Sequence, residues 1–276
     1  MKNGIYIVAT PIGNVSDISA RATEILREAD IIACEDSRMT KKLLSLLGIS
    51  SVGKTFIKLE DHTEAKQADK IIELAKQKAV ILVSDAGSPL ISDPGYKLIR
   101  RCREEDVHVC VVPGACALIC ALQLSGLPTN SFLFSGFIPN KDKARRDLFN
   151  KLKDIDATLV FYETANRIIK TLVTAAEIFG NREVAVAREI TKVYEECLRG
   201  TAKELITHFE TKEPRGEMVF MVAPPDDKAN NILDVKILLH EELKTNSLKT
   251  AVKNLVSRYG LNKNEVYQQA LKIKDE

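Results

Sequence analysis

The chain predicts an α/β protein: two sheet-and-helix domains in tandem, residues 1–128 and 129–223, followed by a linker and a small helical tail at 224–276. Three observations carry this. From residue 4 to about 127, short apolar runs alternate with amphipathic segments, the pattern of a mainly parallel sheet covered by helices. From Phe132 the apolar runs come with fewer and shorter helical stretches, which predicts a mixed sheet. Residues 223–231 then hold Pro224, Pro225, Asp226 and Asp227 and read as a linker.

Taken in order, strands are expected at 5–9, 31–34, 55–59, 80–83 and 107–112, each an apolar run of strand length. Thr40 is the expected N-cap of the helix before the third strand, and Gly48 the left-handed residue that stops it. Another helix is expected to start near Tyr96. In the second half, strands are expected at 159–162, 184–187, 193–198 and 219–222. In the tail, 248–258 has helical spacing, Gly260 breaks it and 263–273 resumes it. That outline fits a helix-turn-helix and equally a solvated three-helix cap.

Composition narrows the function. Lys and Arg total 40 against 38 Asp and Glu, so any nucleic-acid footprint must be local rather than global. One such cluster spans 139–153, where Lys141, Lys143, Arg145, Arg146, Lys151 and Lys153 face only Asp142 and Asp147. No apolar run approaches a membrane span and the N-terminus lacks the order of a signal peptide, so a cytoplasmic location without membrane contact is expected. The six cysteines show no CxxC pair and read as reduced core residues. The histidines at 62, 108, 208 and 240 are scattered, so no metal is expected.

Two motifs mislead. Residues 48–55 spell GISSVGKT, a literal phosphate-loop pattern, but a helix precedes it and a strand follows, the reverse of what a phosphate loop requires. Lys54 is then a surface lysine. His62 and Glu64 form an H-x-E pair without the P-C-x-x-C of the zinc deaminases. Neither GxGxxG nor GxSxG occurs.

The informative residues share a position just after an expected strand. Pro11 lies in the turn after the first, and Glu35, Asp36 and Arg38 follow the second. Residues 84–95, SDAGSPLISDPG, follow the fourth; Gly87 and Gly95 with Pro89 and Pro94 set special turns and leave backbone bare for a ligand. Cys116 and Ala117 open a helix after the fifth. In the second half the strand ends carry Tyr162, Glu163 and Arg167, then Arg188, Glu189 and Lys192, then Arg215, Glu217 and Met218. Open α/β sheets bind ligands beyond the carboxyl ends of their strands, so these loops outline a cleft between two domains.

The set VATPIGN (8–14), EDSR (35–38), SDAGSPLISDPG (84–95), VPGACA (112–117), FYETANR (161–167), AREITK (187–192) and RGEMV (215–219) resembles the ribosomal RNA small subunit methyltransferase I family, within the tetrapyrrole methylase superfamily. The resemblance spans nearly the whole chain; Ser37 and Ser88 stand where Thr is usual and Ala115 where Pro is common. It implies two α/β domains with the cofactor cleft between them. It also implies 2′-O-methylation of a cytidine ribose in the decoding region of 16S rRNA, with S-adenosylmethionine as donor, by a metal-free homodimer. By the same resemblance, Asp85, Ala86, Gly87, Ser88, Cys116 and Ala117 hold the methionine part of the donor. Tyr162, Glu163, Glu217 and Met218 then cover its adenosine, and Pro11 closes the cleft. Proton-acceptor candidates are Glu35, Asp36 and Glu163, with His62 behind them, and Arg38 is the cation of the catalytic group. Arg38, Arg145, Arg146 and Arg188 are the expected RNA contacts. The competing readings are a methylase of a corrin or porphyrin precursor and a non-catalytic RNA-binding assembly factor.

Overall fold

The computed structural model describes residues 1–60, 64–225, 235–259 and 263–275. His62, Gly260 and linker residues 226–231 lie outside them. The chain divides into two compact units, Met1–Pro224 and Pro225–Glu276.

The first unit holds two five-stranded sheets. Strands β1 (Gly4–Val8), β2 (Ile31–Cys34), β3 (Thr55–Lys58), β4 (Ala79–Val83) and β5 (Val109–Val112) lie in the order β3-β2-β4-β1-β5. All are parallel. Because side chains alternate along a strand, this sheet has two apolar faces, each needing cover. Ile5, Ala33, Ile57, Val80 and Leu82 meet Ile71 and Ile72 of α3 (Glu64–Gln77) and Leu98 and Cys102 of α4 (Tyr96–Glu104). Val8, Ile32, Cys34, Ile81 and Val83 meet Leu26 of α1 (Ala20–Glu28) and Leu44 of α2 (Ser37–Leu46).

In the second sheet, β6 (Phe132–Phe137), β7 (Thr158–Thr164), β8 (Glu183–Arg188), β9 (Glu196–Thr201) and β10 (Glu217–Val222) lie in the order β6-β7-β10-β8-β9. The sheet is mixed, as the sequence predicts: β6 runs parallel to β7 and the other pairs are antiparallel. One face packs Phe161, Val186 and Phe220 against α6 (Asp142–Leu152), α7 (Ala165–Phe179) and α8 (Ala202–Thr211). The other packs Val160, Ala185, Ala187 and Met221 against Leu118, Ala121 and Leu122 of α5 (Ala117–Ser125). So α5 leaves the first sheet at β5 and covers the second. A boundary after residue 128 separates it from the strands it packs on.

Four expectations need correction. The N-cap of α2 is Asp36, whose carboxylate accepts from Arg38 N–H, while Thr40 sits inside the helix and donates to the Asp36 carbonyl. Strand β9 starts at Glu196 rather than 193, because Val193 and Tyr194 project into solvent from the preceding loop. Helices of the second half are not shorter: α7 outruns every described helix of the first half. Lys54 is more than a surface lysine, since its ammonium donates to the carbonyls of Arg27 and Ala29 at the end of α1. Gly48, with φ 65°, is the left-handed stop that the sequence predicts. Only Cys34 and Cys102 are buried; the other cysteines are half-buried.

The second unit contains α9 (Val235–Leu243), α10 (Leu248–Tyr259) and α11 (Lys263–Asp275) around a core of Leu239, Val252, Leu255, Val266 and Ala270.

Candidate functional site

The carboxyl ends of β1, β2 and β4 point at the carboxyl end of β7 and the amino end of β10, so Glu217 and Met218 begin a strand rather than follow one, contrary to expectation, and a cavity of about 300 Å³ lies there. Its walls include Glu35, Asp85, Ala86, Gly87, Ser88, Cys116, Ala117, Tyr162, Glu163, Glu217 and Met218. Ile12, Ile91, Ser92, Asp93, Phe137, Glu189, Ile190, Lys192 and Val219 complete it. Most of the second group falls inside the strand-end motifs, so their neighbours are the signal. Phe137 has none, because the half-buried run of β6 carries no strand signature. Pro11 does not line the cavity; the next residue, Ile12, does.

The loop after β4 is fixed by its backbone. Gly87 forms an isolated bridge with Thr10, N–H to carbonyl both ways at 2.8 and 3.1 Å. Ser88 donates its hydroxyl to the Ala115 carbonyl at 3.0 Å, tying this loop to the one that opens α5. Gly87 has φ 81°, and a Cβ there would lie 3.2 Å from Ile12 Cγ2. The left-handed backbone favours glycine, and a Cβ would also crowd the Ile12 side chain.

The acidic candidates separate by environment. Asp36 is gripped by Arg38, whose Nε and terminal nitrogen donate at 3.1 and 2.7 Å, and this pairing holds its carboxyl down to about 2. It is a poor proton acceptor, contrary to expectation. Glu163 is buried, but both oxygens are taken: Oε1 by Thr164 N–H and Arg167, Oε2 by the Thr171 hydroxyl at 2.6 Å. It braces the junction of β7 and α7. Asp85 behaves in the opposite sense: partial desolvation by its neighbours pushes its carboxyl up, against a hydrogen bond from Asp36 N–H. Burial likewise pushes the Tyr162 phenol up.

The arginines expected at RNA also divide. Arg38 is exposed beside Asp36. Arg145 is buried and spent on Thr174 and Asp142, and Arg188 is buried against Glu196. Neither guanidinium faces solvent. Arg146 is half-exposed between Asp142 and Glu177. The lysines 141, 143, 151 and 153 around it are exposed.

Comparison with known proteins fits this geometry. The family model of the tetrapyrrole (corrin/porphyrin) methylases matches residues 4–206. The ribosomal RNA small subunit methyltransferase I of Erythrobacter litoralis is 49% identical over 98% of this chain and 95% of its own length. The chain belongs to this methyltransferase family. Its Thermotoga maritima relative of the same name is 43% identical over 79% of this chain and 97% of its own length. A solved diphthine synthase superposes with a TM-score of 0.63 at 17% identity, covering 79% of this chain and 89% of that one. That likeness shows the shared fold. Among the described residues no group of His, Cys, Asp and Glu is placed to hold a metal ion, and no helix is long and apolar enough to cross a membrane.

Proposed function

We propose that this protein transfers the methyl group of S-adenosylmethionine to the ribose 2′-hydroxyl of a cytidine in the decoding region of 16S rRNA. The observation that carries the reading is the cavity. It gathers strand-end loops from both sheets, and the chain's full-length relatives are methyltransferases of small-subunit rRNA.

The walls suit the donor. Bare backbone at Gly87 and small side chains at Ala86, Ser88 and Ala117 leave room for its methionine part, and Tyr162, Glu217 and Met218 form the side assigned to adenosine. Carboxylates at Glu35, Asp85, Asp93, Glu189 and Glu217 favour a positively charged guest. When bound, S-adenosylmethionine supplies a methyl group already activated on a sulfonium.

What remains for the chain is alignment, exclusion of water and acceptance of one proton. The bridge between Thr10 and Gly87 and the Ser88 hydroxyl bond hold the cradle loops in register, so little order has to be created on binding. Ile12 and Ile190 shield the cavity with apolar side chains. The proton of the 2′-hydroxyl goes to the wall formed by Glu35 and Asp85, with the Asp85 carboxylate as acceptor. Asp36 positions Arg38 beside that wall, and Arg38 with the exposed lysines of α6 meets RNA phosphates. Exposed Val111 on edge strand β5 and Ile119 and Leu124 on α5 support a homodimer. A methyltransferase of this substrate works in the cytoplasm.

Small ribosomal subunits purified from cells lacking the activity, incubated with this protein and methyl-labelled S-adenosylmethionine, test the reading. Label is expected in small-subunit RNA, at one cytidine whose 3′ linkage resists alkali. Label on a base, or transfer only to a porphyrin precursor, overturns it.

A further inference from the structure

The loop joining β8 to β9, residues 189–195, is held from several sides yet leaves an aromatic ring in water. Glu189 and Thr191 adopt φ 49° and 65°, left-handed conformations that persist only where surroundings enforce them. The enforcement is visible. Thr191 N–H donates to the Glu195 carboxylate at 2.7 Å, and Lys192 pairs with Glu189 at 3.0 Å. From the first sheet, Asn14 N–H donates to the Thr191 hydroxyl, and Gly13 packs so closely that a Cβ there would lie 2.7 Å from Lys192 Cγ. On the other side, the Glu189 carboxylate fills the space that a Cβ at Gly216 would occupy. The inner residues Glu189, Ile190 and Lys192 line the methyl-transfer cavity. On the outside, Val193 is 92% exposed and Tyr194 78% exposed.

An aromatic displayed on so constrained a loop is a contact surface rather than the slack end of a hairpin. Tyr194 borders a groove with Val193, Lys212 and Arg215, and Glu189 belongs to both this groove and the cavity. A ribose that enters the cavity brings its neighbouring nucleotides onto this rim. Single-stranded RNA is gripped by stacking unpaired bases on exposed aromatic rings, with cations nearby for phosphates. Of the groove's four acids, Glu189 pairs with Lys192, Glu196 pairs with Arg188 and Lys212, and Glu195 accepts from Thr191 N–H, which leaves the exposed Glu213, 3.7 Å from an equally exposed Arg215 that is free to turn to a phosphate.

We infer that Tyr194 is a positioning residue that stacks on an unpaired base flanking the methylated nucleotide, with Arg215 at the adjoining phosphate. The inference rests on the rRNA reading above and deepens it.

The test compares wild type, Tyr194→Ala and Tyr194→Phe for methyl transfer to undermethylated small subunits, and for S-adenosylmethionine binding by calorimetry. Loss of one stacked base predicts a KM for the subunit raised about tenfold in the Ala variant, with kcat little changed and cofactor affinity intact. The Phe variant should behave as wild type, because the ring and not the hydroxyl stacks. An unchanged KM in Tyr194→Ala overturns the inference while leaving the rRNA reading standing. So does a Phe variant as impaired as Ala, or an Ala variant that dissociates to a smaller assembly, which marks Tyr194 as an interface residue between copies. A wild-type protein that methylates no subunit sinks the rRNA reading first and this inference with it.

Discussion

Asp85 is placed where stability and chemistry pull in opposite directions. Its carboxyl is raised chiefly by burial, so the ionised form is disfavoured in the fold. The sign follows from linkage: the native state holds this proton to higher pH than the unfolded chain, so the fold loses stability as pH rises out of the usual carboxylate range. Asp85→Asn keeps an oxygen to accept the Asp36 N–H and removes the charge. At neutral pH its Tm should rise slightly, and the gain should vanish below about pH 4. On the proposal that Asp85 accepts the proton, methyl transfer should fall by about 10²–10⁴. Melting curves at two pH values and a transfer assay check both halves, and an Asn variant with full activity removes Asp85 from the role. The residue identities were legible, since Asp85 stands inside a marked loop. Its role was not, because the contrast between Asp36 and Asp85 is one of partners. Sequence shows two acids, but not which one receives a guanidinium and which one is partly desolvated without one.

At the scale of elements, strand-end loops make the site, and helix caps and tight packing hold them. Gly13 is the clearest case, because a Cβ there would meet Lys192 Cγ at 2.7 Å and the Ile190 carbonyl and Thr191 hydroxyl at 2.9 Å. Two of those three are near or on backbone, so the clamp between the turn after β1 and the β8–β9 loop must open. Gly13→Ala should lower stability by about 1–3 kcal/mol and weaken S-adenosylmethionine binding, since Ile12 and Ile190 flank the clamp. Calorimetry settles it: unchanged affinity shows that the clamp does not shape the cavity. Buried strands were easy to read, and Ile31–Cys34 matches expectation at both ends because it is apolar throughout. Edge elements were not. The strand Phe132–Phe137 has no fully buried residue and a bulge in its pairing, and the run at 193–198 mixes two exposed loop residues with the true start of β9. A half-buried strand has no continuous apolar signature to find.

For the whole molecule, the division after Pro224 separates two cores of different size. Every residue that lines the cavity between the two sheets precedes it, the last being Val219. The tail closes its own small core and leaves Lys249, Lys253, Lys263 and Lys272 exposed. The Thermotoga maritima relative matches only 79% of this chain with nearly all of its own length. A chain ending at Pro224 should therefore fold cooperatively and bind S-adenosylmethionine as the full chain does. Its KM for small subunits should rise, and the dependence of that KM on salt should flatten, because a protein that neutralises fewer phosphates releases fewer counterions on binding. Calorimetry with the cofactor and transfer kinetics at two salt concentrations separate these effects. Failure to bind the cofactor places part of the tail at the cavity, whereas an unchanged KM and salt dependence leave the tail no part in holding RNA.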